Sequence, residues 1–232
     1  MTAAAPLVFA RCAGFAFRAP GISYPGVPPA ARVALALFLT IALLPAVHAA
    51  SADGAALAAG VALEFVIGSA IGTGASVLYD AAYAAGRAID DYVGVKAIAP
   101  SIQLVAPSGF GRIWSLAFTA AFFLLGAYRP VIAAFAGSFV RLPPGALPDQ
   151  HAWTAYASAV ATLLPRAALA IAAPAIAAGF MAQFALGALS RTIPRFGSLT
   201  LSFPLVFGVA LVACVLGLPA IAARLAPIFP SP

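Results

Sequence analysis

Apolar residues in this chain run in long blocks rather than in alternation, and short polar or Pro/Gly-rich clusters separate one block from the next. The first block, about Ala3 to Phe17, contains Arg11. It is short against the roughly 20 residues that a bilayer-spanning helix takes. The stretch from Pro20 to Pro29 is crowded with Pro and Gly and predicts a rigid loop. Arg32 opens a second apolar block that ends near Pro45, and the polar patch Ser51-Ala52-Asp53-Gly54 precedes a third, Ala55–Tyr79. The continuation Asp80–Gly94 is Ala-rich and carries Asp80, Arg87, Asp90 and Asp91. Lys96–Gly111 holds two prolines and two glycines and reads as loop. A fourth block, Arg112–Phe139, is interrupted at Arg129-Pro130, and Arg141–His151 is a Pro-rich loop. A long fifth block, Ala157–Leu189, contains Pro165 and Pro174; Arg191–Ser198 is a polar break; Leu199–Leu225 closes the chain with Pro204 and Pro219.

Continuous Ala- and Leu-rich blocks predict helices, because a membrane barrel would show segments of about ten residues alternating apolar and polar. The expected fold is all-α: a polytopic membrane protein of broken helices and helical hairpins, in a single membrane-embedded domain spanning 1–232. Helices broken at membrane depth persist where protein or water surrounds the freed backbone groups. That points to burial in an assembly or to a cavity wall; proline kinks in a stand-alone bundle are the other reading.

Composition makes the membrane reading firm. The chain is 64% hydrophobic and 8% charged, with mean hydropathy +1.06, against about 25% charged residues in soluble domains. Net charge is +6, but the eleven Arg and the single Lys, Lys96, are scattered and interleave with no aromatic platform. Nucleic acid is therefore not an expected partner; membrane lipid is, with Arg side chains snorkelling to the interface. Arg occurs in almost every loop, so charge asymmetry assigns no orientation. Cys12 and Cys214, both in apolar surroundings, form neither a disulfide framework nor a metal site. Val33–Leu44 followed by Ala46-Val47-His48-Ala49 has the outline of a signal peptide, but its distance from Met1 marks it as a retained helix.

Glu64 is the only glutamate and lies inside an apolar block. A charge at the bilayer centre costs roughly 2.5–3.5 kcal/mol on insertion scales, so it must be paired, protonated or near water. Gly60, Glu64, Gly68 and Gly72 recur every four residues and share a helix face. With Gly68-Ser69-Ala70-Ile71-Gly72 they predict a close helix–helix seam holding one acid. That acid is read either as a partner for an Arg or backbone donors, or as a proton or cation relay. Asp80, Arg87 and Asp91 share another face, with Arg87 in reach of Asp90 or Asp91; a solvated hairpin tip and a partner interface are the two readings. Arg129-Pro130 marks a hinge, a hairpin apex or the end of a span. His48 and His151 belong to no His-Glu-x-x-His site or Cys/His cluster, Gly72-Thr73-Gly74-Ala75-Ser76 lacks a phosphate-loop ending, and no nucleophile elbow has a histidine partner. No enzyme, cofactor or metal is expected.

The order of these landmarks resembles the FliR/SctT family of flagellar and injectisome export proteins. The resemblance is carried by Phe9-Ala10-Arg11, Pro20, Pro28 and the Arg32-led apolar run; by Glu64-Phe65-Val66-Ile67-Gly68; by Gly86-Arg87-Ala88-Ile89-Asp90 with Gly94; and by Ser138-Phe139 with Pro143-Pro144-Gly145. Its C-terminal part is Pro174, Phe180-Met181-Ala182-Gln183-Phe184, Leu189-Ser190-Arg191, Pro194 and Phe203-Pro204. Ile89-Asp90 and Phe180–Phe184 look closer to the injectisome branch. Three positions depart from the pattern: Arg195-Phe196-Gly197 follow Pro194, Tyr128-Arg129 replaces the flagellar Gly-His pair, and Gln183 stands where the family has Glu. The resemblance implies a structural subunit of an export gate in the bacterial inner membrane. It implies assembly with FliP/SctR-like and FliQ/SctS-like hairpin proteins, contact with FlhB/SctU-like and FlhA/SctV-like proteins, and passage of unfolded protein substrates. Structural or interface residues are then expected at Arg11, Arg32, Gly60, Glu64, Gly68, Gly72, Gly86, Asp90, Arg129, Gln183, Arg191 and Pro194. The alternative is a stand-alone secondary transporter or channel with Glu64 as its ion site; such proteins often carry internal repeats, and none is visible here.

Overall fold

A computed structural model describes residues 4–23, 27–47, 54–93, 109–193 and 199–225, and the side chains of these apart from 199–201 and 218–225. The helices are α1 (Ala4–Arg18), α2 (Pro29–Leu43), α3 (Ala55–Val93), α4 (Gly109–Leu124), α5 (Tyr128–Arg141), α6 (Gln150–Ser190) and α7 (Leu199–Leu225), with a 3₁₀ turn at Leu44–Ala46. No strand occurs among the described residues. The protein is an all-α polytopic membrane protein, as the apolar blocks predict.

Local chemistry sets the boundaries. Pro28 is extended, at φ −57° and ψ 141°, and Pro29 occupies the first helical position of α2, where its missing N–H has no intrahelical bond to lose. Asp149 starts α6: its Oδ2 accepts the Ala152 N–H at 2.9 Å, an N-cap that begins the helix seven residues before the apolar block at Ala157. The apolar block Ala55–Tyr79 and its charged continuation form one helix of 39 residues. The next described helix begins at Gly109, inside the stretch expected to be loop.

One expectation about a break is corrected. The fourth apolar block breaks not at Arg129-Pro130 but at Leu125–Ala127, where Gly126 adopts φ +72° and the helix pair bends by 76°. Left-handed backbone is what glycine permits, whereas Pro130 sits in the first turn of α5, where proline is tolerated. Pro165 and Pro174 do not break α6, which runs through both for 41 residues. Each proline removes one backbone bond, and the Ala- and Leu-rich flanks hold the helix on either side.

The chain forms two compact units, one of residues 1–79 and 119–161, the other of 80–118 and 162–232. In the first, α1 lies at the centre, with Val8, Cys12, Phe15, Ala16 and Ala19 packed against Ala36 and Leu39 of α2 and Phe135 and Phe139 of α5. Phe15 stacks on Phe135 with centroids 4.2 Å apart. In the second, Ile89, Phe110, Trp114, Ile171, Val206 and Ala210 are buried, and the rings of Phe110 and Phe207 lie 4.9 Å apart.

Three segments, Pro29–Ala46, Ala55–Val93 and Gln150–Ser190, are long and apolar enough to cross a membrane, and the bent pair α4–α5 qualifies if taken as one span. Large apolar side chains such as Phe38, Ile41, Leu124, Met181, Phe184 and Leu216 stand exposed along the helices, as lipid- or partner-facing surfaces do.

Candidate functional site

Two opposite charges lie where apolar surroundings make charge least expected. Arg11 and Glu64 are both fully buried and form an ion pair. The pairing is two-pronged: Arg11 Nε donates to Glu64 Oε2, and Arg11 Nη2 donates to Oε1 at 2.9 Å. The remaining guanidinium nitrogen, Nη1, donates to the carbonyls of Leu142 at 2.9 Å and Ser138 at 3.2 Å, at the C-terminal end of α5. A cation there also suits the negative pole of the helix dipole. Glu64 Oε1 accepts one further bond, from the Gly145 N–H at 2.9 Å. The Arg11 guanidinium carbon lies 4.5 Å from the centre of the Phe139 ring. A planar fork with several donors can serve a carboxylate, two carbonyls and a ring at once, which an ammonium group cannot. Both Glu64 oxygens are engaged, with three accepted bonds between them.

The glycine register explains how these charges come together. A Cβ on Gly68 would collide with the Arg11 carbonyl, and one on Gly14 with the Phe65 carbonyl, so the α1 and α3 backbones are in direct contact. Leu7 faces Gly60, the Arg11 backbone faces Gly68, and the Arg18 Cβ would lie 2.8 Å from a Cβ on Gly72. Residue numbers rise together along the seam, so α1 and α3 run parallel in this unit. Arg18 Nε adds a bond to Thr73 Oγ1 at 3.2 Å.

The second unit holds a different polar contact. Asp90, which is buried, accepts the N–H groups of Phe110 at 3.1 Å and Gly111 at 3.4 Å and so caps the N-terminus of α4 from another helix. Gly86, one turn earlier, lets that terminus approach: a Cβ there would meet the Gly111 backbone. The solvated-tip reading therefore does not extend to Asp90, although Arg87 and Asp91 are exposed.

The remaining candidates lie apart. Arg32 donates to the carbonyls of Ser23 at 3.4 Å and Val27 at 3.5 Å, holding the ends of the Pro/Gly-rich loop. Gln183 Oε1 accepts the Tyr92 hydroxyl at 3.4 Å. Arg129 is exposed beside the Tyr128 ring, and Arg191 is exposed in the turn after α6. Pro194, with His48 and Lys96, lies outside the described residues. Sequence reasoning did not single out Gly14, Leu142 or Asp149. Ser138 and Gly145 appeared only within a motif, since they act through backbone groups common to every residue.

Fold and site define a polytopic membrane protein whose buried charges and caps join its own helices to one another. A family model described as bacterial export proteins, family 1, matches residues 2–230, and the chain belongs to that family. It is thus a component of bacterial protein-export apparatus, a structural family and not one of known enzymes. Among curated proteins, none matches the chain.

Proposed function

We propose that the chain is a structural subunit of a type III secretion export gate in the bacterial inner membrane, forming part of the channel wall for unfolded proteins. Its partners in this reading are FliP/SctR-like and FliQ/SctS-like hairpin proteins, with FlhB/SctU-like and FlhA/SctV-like proteins beside them. Ile89-Asp90 and the Phe180–Phe184 run favour the injectisome branch. Membership of the export family supports the reading, and one observation in the fold carries it further.

In the first unit, the Tyr156 hydroxyl, near the polar start of α6, donates to the Ala70 carbonyl at 2.8 Å, in the apolar half of α3. In the second unit, Tyr92 at the charged end of α3 bonds Gln183 in the charge-free half of α6. Each of these bonds sets an apolar stretch of one helix beside a polar group near the end of the other. An apolar half set beside a polar end is suited to being covered by partner protein.

The test is co-expression with the two hairpin partners, gentle detergent extraction and native mass spectrometry. A defined hetero-oligomer containing one copy of this chain is expected. A monodisperse monomer or homo-oligomer that ignores those partners would overturn the proposal.

A further inference from the structure

The segment joining α5 to α6 is tied at several points. At its start, Arg11 holds the Leu142 carbonyl. At its end, Asp149 caps α6. Between them stand Pro143, Pro144 and Gly145. The two prolines have fixed φ and no N–H, so the pair moves as a stiff piece. Pro144 is fully buried, whereas Pro143 and Gly145 are exposed. Gly145 has φ +86°, and from this exposed position its N–H reaches Glu64, which has no exposure at all. The Gly145 backbone is therefore a layer between the buried carboxylate and the outside.

We propose that Pro143–Gly145 is a latch over the Arg11–Glu64 pair, held shut by the bond from Gly145 to Glu64. The two ends of the latch are unequal. The Leu142 end is fixed by Arg11 through the same guanidinium that binds Glu64, and it stays fixed when Gly145 lifts. The Gly145 end is held by one N–H bond, by the burial of the neighbouring Pro144 ring and by a left-handed backbone that only glycine adopts without penalty. Lifting that end admits water to the pair, and a hydrated pair holds α1 to α3 and α5 less tightly, because a buried ion pair draws its strength from exclusion of water. The latch thus couples the position of a surface loop to the clamp at the centre of the unit.

The test uses the full-length chain in membrane vesicles and a water-soluble carbodiimide with an amine nucleophile, the labelled carboxyls being mapped by mass spectrometry. Glu64 is the sole glutamate, so its product is unambiguous. Exposed Asp149 serves as internal reference and buried Asp90 as sentinel for general unfolding. In the unaltered chain Asp149 is labelled and Glu64 is not. Gly145→Ala leaves room for the new methyl, 3.8 Å from Leu7 Cδ1, but strains the closed backbone. The strain of a left-handed non-glycine residue is enough to raise Glu64 labelling about tenfold. Gly126→Ala places the same kind of strain at another left-handed glycine, φ +72°, and leaves Glu64 protected. The proposal is overturned if Glu64 stays protected in Gly145→Ala, if Gly126→Ala exposes it equally, or if Asp90 is labelled along with it.

Discussion

Arg11 serves three groups through one guanidinium: a carboxylate, the carbonyl end of a helix and an aromatic face. Removing either member of a buried pair strands the other, at a cost of roughly 3–5 kcal/mol. Arg11→Ala and Glu64→Ala should therefore each lower the thermal midpoint of the detergent-solubilised chain sharply. The exchange Arg11→Glu with Glu64→Arg should not restore it, because an acid at position 11 has nothing to donate to Ser138 and Leu142; recovery in the exchanged protein would show that the pair acts as two charges alone. Part of this centre is legible in the sequence. A lone glutamate in an apolar block demands a partner, and four-residue spacing aligns it with Gly60, Gly68 and Gly72. The partner itself is not legible. Arg11 lies 53 residues away, and Gly145 contributes a backbone N–H that no residue letter records.

Among the elements, α4 depends on a cap supplied from outside itself. Asp90→Ala should cost about 0.5–2 kcal/mol, the usual loss for a removed N-cap, and Asp90→Asn less, since an amide oxygen still accepts. Hydrogen exchange at the Phe110 and Gly111 amides is the readout, and unchanged protection in Asp90→Ala would count against the cap. Element boundaries were readable where composition changes abruptly: the last apolar block and α7 share the bounds Leu199–Leu225. They were misread where one residue's backbone angle decides. Arg129-Pro130 is the more visible interruption in the sequence, yet Gly126 makes the bend; whether a glycine turns left-handed depends on what surrounds it.

Across the described helices many large apolar side chains stand exposed, and Phe184, 74% exposed on α6, is a clear example. Surface substitutions away from caps, cores and buried pairs usually change stability by no more than about 0.5 kcal/mol. Phe184→Ser should then leave the melting of the isolated chain nearly unaltered while lowering the yield of the co-expressed complex. Equal loss of both would place Phe184 in the fold rather than at a contact. That the chain is a membrane protein was legible from composition alone. That the Tyr156 hydroxyl reaches the Ala70 carbonyl was not, because hydropathy does not encode which positions of two helices meet.

The burial of Arg11 also dictates an order of events during synthesis. Its last acceptor, the Leu142 carbonyl, lies 131 residues downstream. At translation rates of about 5–20 residues per second, that interval lasts roughly 7–26 s. Throughout it, α1 carries a cation with no finished berth. Its natural waiting place is the headgroup layer, where a guanidinium finds phosphate and water. In ribosome-arrested chains, the Cys12 thiol should react with a soluble maleimide when synthesis stops at Val93 and become protected once it has passed Ser190, when α5 has cleared the ribosome. A segment made before its partners is then completed after them, and α1 enters its place as the keystone of a unit whose other stones are already standing.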